Sequence, residues 1–168
     1  SNVNLTGKIA HFELGYIPES AEELKAAAAV LIANYTRSHM MRLPRALRKR
    51  NIFEEVARFS LVPSGKKVLR ESYQQLRKYN VWNVATVQNY EQFKSSDIRG
   101  PVLGNSRILF LLRQSDRSDI EDLSQDFPIP EVVKDSVMSH PEPEKLIGKK
   151  FSQFTYYHTD ERRPLIVT

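Results

Sequence analysis

The sequence contains no cysteine among its 168 residues. Disulfide bonds and metal sites built on thiolates are therefore excluded, while the redox compartment stays open. The longest apolar run, Ala26–Ala33, is much shorter than the about 20 residues that a transmembrane helix needs. The four histidines are scattered along the chain without the spacing of zinc ligands: His11, His39, His140 and His158.

Two motifs of common enzyme classes are also missing. No G-x-S-x-G sequence is present, so a serine hydrolase of the nucleophile-elbow type is not indicated. The stretch "SGKK" at 64–67 lacks both the upstream glycine and the following Ser or Thr of a phosphate-binding loop. It is more simply the start of a helix.

The composition is that of an ordinary globular protein, with 27% charged and 40% hydrophobic residues and a formal net charge of +5. The length predicts one domain that buries roughly two-thirds of its unfolded surface. A basic cluster without any acid lies between residues 37 and 50 and includes Arg42, Arg45, Arg48, Lys49 and Arg50. It predicts either a solvated helix end or a surface that faces phosphates or DNA.

Strand and helix patterns alternate through the first two-thirds of the chain. Period-two alternation predicts a strand over 7–17, and helical spacing predicts a long helix over 18–43, with Ser20 and Glu23 as a capping-box pattern at its start. Four elements then follow, a strand from Ile52 ending near Glu54, a helix over 64–80, a strand over 81–88, and a strand over 107–114 that reads as covered on both faces. Short helical turns broken at Gly100-Pro101 precede the last of these strands.

The last third predicts two short helices and a β-hairpin that joins 151–158 to 163–168 through Thr159–Arg162. We therefore predict an α/β fold, with a mostly parallel sheet flanked by helices and a C-terminal helical pair and hairpin. Residues 3–115 would form the core, and residues 116–168 an elaboration of the same domain.

Polar residues at two predicted strand ends carry the candidate chemistry. Glu54 and Glu55 could place one acid near a hydrated Mg²⁺ and the other beside a water, or could be the solvated acids of a helical turn. Gln88 could position a water or sense a terminal phosphate, and Arg77 could stabilise charge during phosphoryl transfer. Arg77 and Lys78 are equally typical of cations at a helix C-terminus.

The order of these motifs resembles the second half of the RecA-like motor domain in the conjugation and type IV secretion ATPases, relatives of the FtsK and HerA DNA pumps. "KIAHFELGYI" is similar to the strand before a long helix, and "IFEEVARF" to the Walker B strand and the short helix after it. "LRKYNVWNVATVQNYEQF" and "LGNSRILFLLRQ" resemble the helix and strands that follow. The resemblance covers residues 7–115.

The resemblance implies that Glu55 is the catalytic carboxylate, Glu54 the acid linked to Mg²⁺ through water, and Gln88 the γ-phosphate sensor. Arg77, with Lys78 beside it, would reach the nucleotide of a neighbouring subunit. It also implies ATP and Mg²⁺ as ligands, a ring oligomer, the secretion machinery and DNA as partners, and a cytoplasmic location with peripheral contact at the inner membrane. Glu54 departs from the usual Asp.

The Walker A segment of that family is absent from these 168 residues. We therefore expect a piece of a longer protein that is inactive by itself and binds no nucleotide tightly. Without the strand of the Walker A segment, two strand edges of the sheet would be left unpaired. They would close on each other, pair with a second copy or borrow another segment. The alternatives are an ATPase-like domain kept for assembly and a non-catalytic basic α/β module. The latter would bind nucleic acid or a protein partner through the basic cluster and exposed Tyr156 and Tyr157.

Overall fold

The computed structural model describes residue 5 and residues 7–88, 90–141, 153–161 and 164–167. The fold is mixed α/β and divides into two compact units, Ser1–Thr86 and Val87–Thr168. The boundary predicted at residue 115 is of another kind, because it marks where the resemblance to an ATPase core ends. It stays a prediction.

The described residues of the first unit form two α-helices, three 3₁₀ segments and a pair of strands. Its elements in chain order are a 3₁₀ turn Glu19–Ala21, helix α1 Glu22–Arg42, strand β1 Lys49–Phe53, a 3₁₀ helix Val56–Leu61, helix α2 Pro63–Gln75, a 3₁₀ turn Leu76–Tyr79 and strand β2 Val81–Ala85. The long helix predicted from residue 18 is confirmed, and "SGKK" does lie in the first turns of α2. The predicted capping box is not formed, because α1 begins after Ala21 without a side-chain cap.

Strands β1 and β2 pair directly and in parallel, with Ile52 opposite Val84 and Phe53 opposite Ala85. The two strand edges thus close on each other, which is one of the three expected arrangements. Asn51 and Phe53 are buried on one face of β1, whereas Arg50 and Ile52 on the other face are exposed. The inner face lies against α2, since Asn83 Nδ2 donates to Ser72 O at 2.9 Å.

Residues 7–17 do not form the predicted strand. They form bends, a turn and irregular backbone, and Ile9 and Tyr16 are 88% and 95% exposed. Alternation of apolar residues favours a strand only where a neighbouring strand accepts its hydrogen bonds. Within the described residues, no strand pairs with this segment.

Where the structure describes the second unit, it has four α-helices and an antiparallel sheet. Its elements are α3 Tyr90–Lys94, α4 Arg99–Leu103, β3 Ile108–Leu112, α5 Arg117–Asp126, α6 Glu131–Met138, β4 Phe154–His158 and β5 Pro164–Val167. Gly100 and Pro101 lie inside α4 rather than breaking it, because proline is tolerated in a first helical turn. The helical pair and the β4–β5 hairpin are confirmed, although Arg162 of the predicted turn lies outside the described residues.

Strand β3 does not extend a parallel sheet; it pairs antiparallel with β4 in the order β3-β4-β5. Only one of its faces is covered, since Leu111 is buried while Phe110 and Leu112 are exposed. The continuous apolar run is therefore explained by a half-buried strand, contrary to prediction. The core beneath it contains Leu111, Ile120, Phe127, Ile129, Val133, Val137 and Tyr157.

Candidate functional site

The two predicted acids lie in a turn at the carboxyl end of the parallel strands. Strand β1 ends at Phe53, so Glu54 and Glu55 follow it directly, as predicted. The turn is held to the end of β2 by three hydrogen bonds. Thr86 N–H donates to Phe53 O at 2.9 Å, Val56 N–H donates to Thr86 O at 3.2 Å, and Glu55 N–H donates to Thr86 Oγ1 at 3.1 Å.

Glu55 has the left-handed backbone conformation, with φ 48° and ψ 55°. Only one other described non-glycine residue, Asn80, has a positive φ, and asparagine tolerates this region better than glutamate. A short 3₁₀ helix begins immediately after Glu55 and buries Val56 and Phe59. The alternative of a helical turn is therefore correct for 56–61 but not for the acids themselves.

The two carboxylates have different surroundings. Glu54 is exposed, whereas Glu55 is partly buried and forms an ion pair with Arg58 in the 3₁₀ helix. An exposed carboxylate at a strand end suits a water-mediated contact to Mg²⁺, which keeps several of its waters when bound. Among the described residues, no group of three or more acids or histidines could hold a metal ion by itself.

Arg77 and Lys78 lie at the opposite end of the strands from the acids. Both are exposed in the 3₁₀ turn Leu76–Tyr79, which leads into the first residue of β2. The five residues of β2 separate that turn from Thr86, a distance of roughly 16 Å at about 3.3 Å per residue. Arg77 and Glu55 of one chain therefore do not share a site.

Gln88 lies beyond the strand that was predicted to end on it. Strand β2 ends at Ala85, and Gln88 is exposed in a bend of the second unit. Val87 and Gln88 do not continue the ladder because β1 ends at Phe53, opposite Ala85. The chain still places Gln88 three residues after the strand that adjoins the acidic turn.

The basic cluster is split between buried and exposed positions. Lys49 is only 8% exposed, and its Nζ donates to Pro44 O at 3.0 Å, so its inclusion in a solvent-facing patch was wrong. The reason is register, since Lys49 lies on the inner face of β1. Arg42, Arg45, Arg48 and Arg50 are exposed.

Two arginines of this cluster contact aromatic rings. These contacts were not predicted from the sequence. The Arg45 guanidinium lies 5.1 Å from the centre of the Tyr79 ring, and the Arg50 guanidinium 5.4 Å from that of Trp82. Arg50 and Trp82 are direct partners in the parallel register. Correct pairing of "KRNIF" with "VWNVA" would have revealed this contact from the sequence.

The resolved pKa shifts lie outside the predicted site. Burial pushes the pKa of Asp126 upward, but hydrogen bonds from Arg99 and Tyr90 outweigh it and hold the pKa below its ordinary value. Burial lowers the pKa of His140, whose Nε2 lies 2.9 Å from Thr155 Oγ1. These groups are enclosed by helix and strand contacts, so we assign them to stability rather than to catalysis.

A scan against models of known protein families finds no match, and a search of curated proteins finds none. In the described part of the chain, no helix combines the length and apolar character needed to cross a membrane.

Proposed function

We propose that this chain supplies the catalytic carboxylates of an ATP-hydrolysing motor of the conjugation and type IV secretion type. The observation that supports the proposal best is the backbone of Glu55. A glutamate in the left-handed conformation costs roughly 1–2 kcal/mol relative to a residue that adopts it freely. Such strain is found preferentially at functional sites, and here it lies at the carboxyl edge of parallel strands, where open α/β folds bind ligands.

In this proposal Glu55 accepts a proton from the attacking water. Glu54 would hold Mg²⁺ through the ion's bound water, and Mg²⁺ would supply neutralisation of the phosphate charge. Gln88 senses the terminal phosphate. Release of Glu55 from Arg58 on nucleotide binding would leave its carboxylate available as the base.

Arg77 acts on a different nucleotide from Glu55. The two residues lie at opposite ends of β2, so an arginine that reaches a nucleotide must reach one bound by a neighbouring subunit. This arrangement requires several copies of the chain to associate. A ring is the assembly in which every copy has a neighbour on each side. In the longer protein β1 and β2 would belong to a larger RecA-like sheet in which the missing strand lies between them, so it would replace their direct pairing.

The 168 residues do not fit tight ATP binding by themselves. Phosphate groups are held in such motors by a loop of backbone amides and a lysine, and the sequence encodes no such loop. We therefore propose that the loop is supplied by another part of the same polypeptide. The motor would act on DNA or protein, in the cytoplasm or at the inner face of the membrane.

The test is ATP turnover by the whole protein that the gene encodes. Glu55→Gln removes the base and keeps the side-chain length, so we expect kcat to fall by at least about 100-fold, the lower range for general base catalysis. Glu23→Gln, an exposed acid in the first turn of α1, is the matched control and should leave kcat unchanged.

Nucleotide binding separates catalysis from folding. A fluorescent ATP analogue should bind Glu55→Gln as tightly as wild type, because the base is not a main binding group. Absence of turnover in the wild-type protein, or equal turnover in the Glu55→Gln and Glu23→Gln variants, would refute the proposal. The acids at 54 and 55 would then have a structural role only.

A further inference from the structure

We infer that the first unit binds single-stranded nucleic acid at the amino end of its parallel strands. The binding surface, here called the Arg–aromatic surface, consists of Arg45, Arg48, Arg50, Arg77, Lys78, Tyr79 and Trp82. It lies at the opposite end of the strands from Glu54 and Glu55. Arg77 is the residue that this inference shares with the proposed ATPase function. Oligonucleotide binding is therefore measured without ATP, so that its outcome is distinct from that of ATP turnover.

Backbone contacts bring the two segments of this surface together. Lys49 N–H donates to Asn80 O at 3.0 Å, which starts the parallel ladder. Asn80 Nδ2 donates to Ala46 O at 3.4 Å and joins the preceding loop to the turn that carries Arg77 and Lys78. Because Lys49 is opposite Val81, the next pair places Arg50 against Trp82 on the exposed face.

The charge of the surface is of one sign. Residues 37–53 and 72–90 contain eight lysines and arginines and no aspartate or glutamate. Two of the eight are used elsewhere, since Lys49 is buried and Arg37 is paired with Glu71 at 3.1 Å. The remaining cations are exposed and are suited to contact a chain of phosphates.

The aromatic rings favour a single strand over a duplex. Trp82 is 44% exposed, and a guanidinium lies beside its ring. Exposed aromatic rings and arginine planes are platforms on which unpaired bases stack, whereas the bases of a duplex are already stacked on each other. Cations alone would also suit an acidic protein or an anionic membrane, but neither offers bases to Trp82.

Trp82 is the only tryptophan in the chain, so its fluorescence reports on this surface directly. The 168-residue protein is titrated with oligothymidylate and, separately, with oligouridylate of about 16 nucleotides, the upper site size of one binding module. We expect quenching by both, and an association constant that falls with salt by about 0.7 logarithmic units per tenfold rise for each phosphate contact. Quenching by one of the two would identify DNA or RNA as the source.

Variants assign the binding to named side chains. Trp82→Ala should weaken binding by about 5- to 150-fold, the range for loss of one stacked base, when measured by anisotropy of a labelled oligonucleotide. Trp82→Phe, which keeps a ring, should bind more tightly than Trp82→Ala. Lys78→Gln should reduce the salt slope by about 0.7, whereas the control Lys67→Gln, an exposed lysine at the other end of α2, should not.

Three results would overturn the inference. One is the absence of Trp82 quenching at low salt with a protein whose circular dichroism shows the native fold. Another is an equal loss of affinity in Lys78→Gln and Lys67→Gln, which would mean diffuse attraction to net charge. The third is salt-dependent binding to vesicles of anionic lipid or to an acidic peptide without binding to either oligonucleotide.

Discussion

Gly65 lies in the first turns of α2, close to the backbone of the preceding 3₁₀ helix. A Cβ added at Gly65 would lie 2.2 Å from Phe59 O, a backbone atom that cannot rotate away. We expect Gly65→Ala to lower the free energy of unfolding by about 1–3 kcal/mol, the usual cost of overpacking. Urea unfolding monitored by circular dichroism measures the change.

Gly100 is the matched control for that substitution. It also lies in a helix, but a Cβ added there would have no atom within 4 Å. Gly100→Ala should therefore leave stability unchanged or raise it by up to about 1 kcal/mol, because alanine favours a helix more than glycine does. Equal effects of the two substitutions would show that Gly65 is not in close contact with the 3₁₀ helix.

Single residues were predicted well where the local sequence determines them and poorly where strand register does. Glu54 and Glu55 follow β1 as expected because an apolar run that ends in acids indicates a strand end. Lys49 and Tyr157 were both predicted to be exposed, yet Lys49 is buried and the fully buried Tyr157 donates to Pro128 O at 2.7 Å. Alternate residues of a strand face opposite sides, so a one-residue error in register reverses exposure.

At the scale of elements, a side-chain hydrogen-bond chain joins β1, β2 and α2. Asn51 Nδ2 donates to Asn83 Oδ1 at 3.3 Å, and Asn83 Nδ2 donates to Ser72 O at 2.9 Å. Asn83→Ala would leave the buried amide of Asn51 without this acceptor. We expect a loss of about 1–3 kcal/mol in the free energy of unfolding, measured by urea titration.

Asn105→Ala provides the comparison for Asn83→Ala. Asn105 Nδ2 donates to Pro101 O at 2.8 Å, but in an exposed turn where water can replace the bond. Its removal should cost no more than about 0.5 kcal/mol. If Asn83→Ala were equally mild, the asparagines would contribute nothing specific to the pairing of β1 with β2.

The helices and most of the strands could be predicted because their periodicity is local. Helices α1 and α2, strand β2 and the hairpin β4–β5 all lie within or overlap their predicted ranges. Residues 7–17 could not be judged in this way, since their alternation says nothing about which strand would accept their hydrogen bonds. The partner of β3 is likewise a long-range choice, and it is β4, more than forty residues later.

At the scale of the whole molecule, chain order contains more of the site geometry than the motifs do. Arg77 precedes β2 and Glu55 follows β1, so in two parallel strands they must lie at opposite ends. Chain order alone therefore places Glu54 and Glu55 far from Arg77 and Lys78 within one chain, although both pairs are candidates for a nucleotide site. The packing of arginines on Tyr79 and Trp82 depends on register and became visible only in the structure.

The dependence of stability on pH is also a property of the whole chain. Burial lowers the pKa of His140 below its ordinary value of 6.5. Hydrogen bonds lower the pKa of Asp116, Glu121 and Asp126, through Ser118 N–H, Lys134 and Arg99 respectively. For each group the unfolded chain binds protons more readily than the folded chain. The free energy of unfolding therefore falls as pH falls.

We expect this loss in two stages when urea unfolding is measured from pH 8 to pH 3 at constant ionic strength. The first stage begins as pH falls below about 6.5 and arises from His140; it should be absent in His140→Gln. The second begins near the ordinary carboxyl values of 3.8 to 4.5 and should be smaller in Asp126→Asn. A first stage that persists in His140→Gln would contradict the assignment. Stability that rises on acidification below pH 6.5 would contradict the sign of both shifts.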